Sequence, residues 1–95
     1  MTEDAEQDLL ESAQWYEDQQ EGLSDKFSDE VNKKILLIAR NPEIYPKWKG
    51  AKQQAFLEIF PFTILFQVVK RKNMLGILAI FHTSRHPKQK FRRKL

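Results

Sequence analysis

Two apolar runs of eight residues, Phe62 to Val69 (FTILFQVV) and Met74 to Phe81 (MLGILAIF), constrain this chain more than any other feature. They are separated by Lys70, Arg71, Lys72 and Asn73. Each run is short, bounded by polar residues and rich in Ile, Leu, Val and Phe, so the pair reads as a buried β-hairpin. The residues that follow, His82, Thr83, Ser84, Arg85 and His86, stand where a buried strand emerges at the sheet edge. Such emergence points are where proteins place sites.

The rest of the chain has to cover that hairpin. Ninety-five residues allow one domain, 1–95, with one modest core. The absence of cysteine removes disulfides, Cys-based zinc sites and thiol catalysis together, and it suits a reducing cytoplasm. Met1 is followed by Thr-Glu-Asp rather than by a basic and then apolar leader, and no apolar run approaches membrane-spanning length. The expectation is a soluble, cytoplasmic protein without membrane partner, cofactor or metal.

Charge is distributed unevenly. Residues 1–30 hold eleven acids against the single base Lys26, a net of −10. Residues 31–95 hold fifteen bases against Glu43 and Glu58, a net of +13. A chain so divided either presents an electropositive face to an anionic partner, such as an acidic peptide or nucleic acid, or simply solvates both sets of charges.

From Glu3 to Gln20, Ala5, Leu9, Ala13 and Tyr16 recur at helical spacing, with Thr2 as N-cap and Glu3, Asp4 and Glu6 in the first turn where the helix dipole favours acids. Trp15 lies about 100° from that stripe. It therefore packs across the helix boundary or serves as a contact residue. Gly22 reads as the stop, and Ser24 as N-cap of a second helix over about 25–40 with the stripe Phe27, Val31, Ile35 and Ile38. The short connection folds the two helices into an antiparallel hairpin. Near its end the second helix is also apolar at Leu36, Leu37 and Ala39, so it is either deeply buried or covered by a partner, and in a chain this short the expectation is a partner over Leu36 or Leu37.

Residues 41–50, NPEIYPKWKG, read as a loop in which Tyr45 and Trp48 lid the core and alternate with Lys47 and Lys49. Aromatic residues interleaved with bases also occur in single-stranded nucleic-acid sites. A strand is expected over about 53–60, with Ala55, Leu57 and Ile59 on one face and Phe56 and Phe60 on the other. With strands at about 62–69 and 74–81 it forms a three-stranded antiparallel meander beneath the helical hairpin, an α+β fold. A basic tail, 85–95, completes the chain.

These segments resemble the RelE/ParE superfamily, the toxin halves of type II toxin–antitoxin, or plasmid stabilisation, systems. The resemblance is carried by AEQDL at Ala5 to Leu9, WYEDQ at Trp15 to Gln19, GLSDKF at Gly22 to Phe27 and NPEIYP at Asn41 to Pro46. It continues through FPF at Phe60 to Phe62 and IFHTSRHP, which ends at Pro87. It implies a helical hairpin on an antiparallel sheet. Family members normally begin with a further strand, whereas this sequence starts at the helix: either the true start lies upstream, or the chain is trimmed, or the fold lacks the usual first strand and leaves a sheet edge bare.

The superfamily holds two kinds of activity. ParE-like members bind and poison DNA gyrase, and RelE-like members are ribosome-dependent mRNA endoribonucleases. Metal-free cleavage through the 2′-hydroxyl needs a base, a phosphate clamp and an acid. His82 as base and Arg85 as clamp, assisted by Lys52 or Arg71, would be such a site, but Phe91 stands where a catalytic tyrosine would be expected and cannot transfer a proton. His82 equally reads as a strand-ending residue with a satisfied hydrogen bond. The arrangement H-x-S-R-x-P at residues 82–87 resembles the ParE-like branch. The resemblance therefore implies a gyrase-binding toxin without chemistry of its own, with Arg85, Lys88, Lys90, Phe91, Arg92 and Arg93 facing the target. It implies a basic surface of Lys47, Lys49, Lys52 and Arg71, and a cognate antitoxin held in a hetero-oligomer through Trp15, Leu36 and Leu37. The alternatives are an mRNA interferase or an inactive homologue.

Overall fold

The computed structural model describes residues 1–83. Two helices, α1 (Glu3–Gln19) and α2 (Leu23–Arg40), precede four strands: β1 (Lys47–Lys49), β2 (Lys52–Phe56), β3 (Phe62–Val69) and β4 (Met74–His82). The strands form one antiparallel sheet in the order β1-β2-β3-β4. The class is the expected α+β, with one strand more than the expected three. The additional strand comes from the stretch read as a loop. Gly50, at φ 57°, turns the chain so that Lys47–Lys49 folds back on β2. The Gln53 amide donates to the carbonyls of Pro42 (2.8 Å) and Tyr45 (3.0 Å), holding the proline-rich approach in place.

The helices cover one face of the sheet. Phe62, Ile64 and Phe66 alternate toward them from β3 and join Ala5, Phe27, Val31 and Ile38 in one buried cluster. Leu9, Ala13, Tyr16 and Ile35 complete the two stripes at its margin. In β4, Ile77 and Ile80 both reach this face although they are three residues apart. A β-bulge explains it: Leu65 pairs with Ala79 and Phe66 with Ile77, so Leu78 has no cross-strand partner and the alternation slips by one. Leu65, Ala79 and Phe81 form a second buried cluster, with Trp48 and Leu78 against it. Tyr45 and Trp48 therefore lid two separate clusters, Tyr45 with its ring 5.9 Å from that of Phe66.

Three carboxylates of the acidic half tie backbone to backbone. Glu17 accepts from Gly22 N–H (3.1 Å) and Ser24 N–H (3.1 Å), which fixes the helical hairpin. Ser24 is thus not the N-cap. Gly22, at φ 91°, occupies that position and α2 begins at Leu23. Glu30 accepts from three consecutive amides, Glu58 (3.1 Å), Ile59 (2.9 Å) and Phe60 (3.2 Å). Amides of an extended strand alternate in direction, so three aimed at one carboxylate require a bend. The strand expected over 53–60 accordingly stops at Phe56, Ile59 is 80% exposed instead of sharing a face with buried Ala55, and Phe60 turns into the core.

Asp8 provides the third tie. The outer side of β4 is tied in part to the start of the chain: Thr2 N–H donates to the Ile77 carbonyl (3.0 Å), Thr2 Oγ1 to that of Leu78 (3.3 Å), and Ile80 N–H donates to Asp8 (2.9 Å). Thr2 also caps α1, accepting from Ala5 N–H (3.1 Å). One short segment thus starts the helix and satisfies backbone groups that an edge strand otherwise exposes.

Candidate functional site

Aromatic packing sets the geometry. The rings of Tyr16, Phe27, Phe60 and Phe62 lie 4.7 to 6.0 Å apart between α1, α2 and the start of β3. This wall has a recess on either side, one lined by Phe62 and the other by Phe60.

The first recess, of about 230 Å³, lies between α1 and the end of β4, where Asp8, Glu11, Trp15 and Tyr16 face Ile80 and His82. His82 is half-buried, with its ring edge-on to Phe62 at 5.4 Å, as the last residue of β4. Trp15 is 51% exposed, its ring T-shaped against Tyr16 at 5.1 Å. The structure thus brings together two residues to which the sequence gives separate roles, His82 for catalysis and Trp15 for antitoxin contact.

It does not bring His82 and its expected assistants together. His82 pairs with Phe62, whereas Arg71 lies in the turn beyond Val69 and Met74, at the far end of the hairpin. Seven strand steps separate the two ends, roughly 23 Å at about 3.3 Å per residue. Lys52 pairs with Gln67, five steps from Phe62, roughly 17 Å along the sheet and two strands across. Lys47 and Lys49 are exposed on β1, at the edge opposite β4. The four basic residues therefore follow the β1 edge and the turn end of the sheet. Arg85, Lys88, Lys90, Phe91, Arg92 and Arg93, with the rest of the tail, lie outside the described residues.

The second recess is a groove of about 600 Å³ between α2 and the β2–β3 connection. Leu23, Leu37, Ile59 and Phe60 contribute its apolar part. Leu36, beside Leu37 on α2, is 65% exposed and Leu37 48%. Of the three expected antitoxin contacts, Leu37 lines this groove and Trp15 the other recess. Glu30 and Ile59 carry no motif in the sequence. The available signal is an acid one turn after Phe27, on the side of α2 that faces the sheet connection.

Among the described residues there is no group of three or more His, Asp or Glu able to hold a metal ion, and no helix long and apolar enough to cross a membrane. The described residues form an α+β domain with two recesses beside the helical hairpin and a third between the approach at residues 42–47 and the end of β3. Over residues 1–87 the chain matches the family model for the ParE toxin of the type II toxin–antitoxin system, parDE, and it belongs to that family. It is thereby the toxin half of a type II pair, a class whose members are paired with a cognate antitoxin. No curated protein and no solved structure matches the chain.

Proposed function

We propose that this protein acts as a ParE-like toxin that binds and inhibits DNA gyrase in the cytoplasm and is neutralised by its cognate antitoxin in a hetero-oligomer. Membership of the ParE family over residues 1–87 carries the reading. The separation of His82 from Lys52 and Arg71 supports a binding protein over an mRNA interferase, because general acid–base cleavage needs its groups within hydrogen-bond reach of one phosphodiester. Arg85 and the basic residues Lys88, Lys90, Arg92 and Arg93, with Phe91 among them, meet the target, and the exposed Trp15, Leu36 and Leu37 meet the antitoxin.

Two assays run side by side test this. Purified protein is incubated with gyrase and relaxed plasmid, and separately with translating ribosomes. Failure to introduce supercoils, with intact message, is expected. Codon-positioned mRNA cuts with normal supercoiling would assign it to the interferases, and inactivity in both would make it an inert homologue. An Arg85→Ala variant is expected to lose most of its inhibition; full inhibition would remove Arg85 from the target contact.

A further inference from the structure

We infer that the turn end of the sheet binds the phosphate backbone of duplex DNA through Lys47, Lys49, Lys52, Lys70, Arg71 and Lys72. The inference goes beyond the toxin reading and does not depend on which enzyme the toxin inhibits. Strand register gathers these residues. Lys49 pairs with Lys52 across the β1–β2 turn, Lys52 with Gln67 on β3, and Val69 with Met74 across the turn that holds Lys70, Arg71 and Lys72. The two turns therefore stand side by side, at the end of the sheet away from His82. Four strands about 4.8 Å apart make that end roughly 14 Å wide. From Ile44 to Thr83 the sequence holds these six bases and one acid, Glu58, which lies beyond the other end of β2. The acids of α1 begin after Thr2, which bonds Ile77 and Leu78, three residues along β4 from Met74 and roughly 10 Å from the turn. Glu43 lines the third recess with Lys47 and Lys70, so the six bases stand against this one acid. Among the described residues none of the six is in an ion pair.

The placement of the aromatic residues selects the partner. Tyr45 and Trp48, interleaved with Lys47 and Lys49, suit a single strand only if their rings are open for bases to stack on. Instead Tyr45 packs on Phe66 and Trp48 against Leu65, Ala79 and Phe81, and both are half-buried. A protein partner would be held through apolar anchors. Most large exposed apolar residues, among them Trp15, Leu36, Leu37 and Ile59, lie on the helices and the β2–β3 connection, leaving Ile44 and Met74 near the basic end. The end of the sheet is thus an array of cations, the footprint of backbone contact without sequence readout. A duplex presents one charge per about 1.7 Å of its axis, so a width of 14 Å faces roughly eight. Lys70, Arg71 and Lys72 form one turn of 3-10 helix followed by Asn73 at φ 49°. Three residues per turn fan the side chains in different directions, so about two of the three reach one duplex at once.

The test measures binding of the full-length protein to a short fluorescein-labelled DNA duplex of arbitrary sequence, by fluorescence anisotropy over a range of potassium chloride concentrations. Affinity is expected to fall steeply with salt. The triple variant Lys70→Gln, Arg71→Gln, Lys72→Gln is expected to flatten the logarithmic slope by about two, with a roughly tenfold or greater loss of affinity. Adding Lys49→Gln is expected to flatten it by about one more. These four positions are exposed, so the melting temperature should not change. The basic tail is the control: with Lys88, Lys90, Arg92 and Arg93 neutralised, the difference made by the triple variant should persist. A slope that the triple variant leaves unchanged, or no duplex binding at all, overturns the inference. Equal or tighter binding to the single strand or to duplex RNA overturns it in favour of that nucleic acid. Polyglutamate that displaces the duplex as well as competitor DNA does, charge for charge, overturns it in favour of an acidic protein. None of these outcomes bears on gyrase inhibition, which is read in its own assay.

Discussion

Replacing Glu30 by alanine removes the acceptor for three amides at once. The Glu58 and Ile59 amides are exposed and regain water when the carboxylate is removed, whereas the Phe60 amide is partly buried and does so incompletely. Hydrogen bonds to a charged acceptor contribute about 1.5–3 kcal/mol each, but three that share one carboxylate at the surface do not sum. A single full-strength bond, that of Phe60, plus a fraction for the other two gives about 2–3 kcal/mol. For a domain of this size that corresponds to a fall of roughly 10–20 °C in melting temperature. Urea denaturation followed by circular dichroism gives the free energy, and amide exchange at Glu58 to Phe60 shows whether the loss is local. The internal control is Glu58→Ala. Its ion pair with Lys34 spans 3.8 Å and the Glu58 side chain is 84% exposed, so a change below about 0.5 kcal/mol is expected. A Glu30→Ala change no larger than that of Glu58→Ala would refute the view that Glu30 sets the β2–β3 connection.

The other ties give separate expectations. The Ser24 hydroxyl, followed by the Gly22 and Ser24 amides, holds the Glu17 carboxyl below its ordinary value of 4.5. Because the folded value is the lower one, the stabilisation is present above pH 4.5 and lost as pH falls through the depressed value, so the stability difference between wild type and Glu17→Gln should shrink toward zero in acid titrations below that point. Asp8→Ala removes the acceptor for Ile80 N–H, and with it about 1–2 kcal/mol, and should raise concentration-dependent association measured by light scattering because the β4 edge is uncovered. Phe27→Ala empties a fully buried position against three other rings, at a cost of about 3–5 kcal/mol, which should leave little folded protein by circular dichroism.

The helices and the central hairpin were legible because their apolar residues are periodic and their stops are chemically explicit. Phe27, Val31, Ile35 and Ile38 mark one face at helical spacing, and the Lys70 to Asn73 turn punctuates the two long strands. What was not legible depends on contacts distant in sequence. Nothing local indicates that Glu30 will collect amides 28 to 30 residues away, so the end of β2 and the exposure of Ile59 could not be read from the strand pattern. The β1 strand was hidden by its length, since three residues carry no periodicity and its lysines read as loop. The bulge at Leu78 likewise has no marker in an uninterrupted apolar run. For the site, types of residue were visible but their placement was not: His82, Lys52 and Arg71 look like a set in the sequence and lie at different ends of the sheet.

Gyrase inhibition is tested most directly inside growing cells. On inducing the protein, plasmid topoisomers are resolved on chloroquine gels while the 5′ ends of cellular messages are mapped in the same samples. The account predicts progressive loss of negative supercoiling with intact messages, reversed when the adjoining reading frame is expressed alongside. Unchanged topoisomers together with new 5′ ends at fixed codon positions would contradict it.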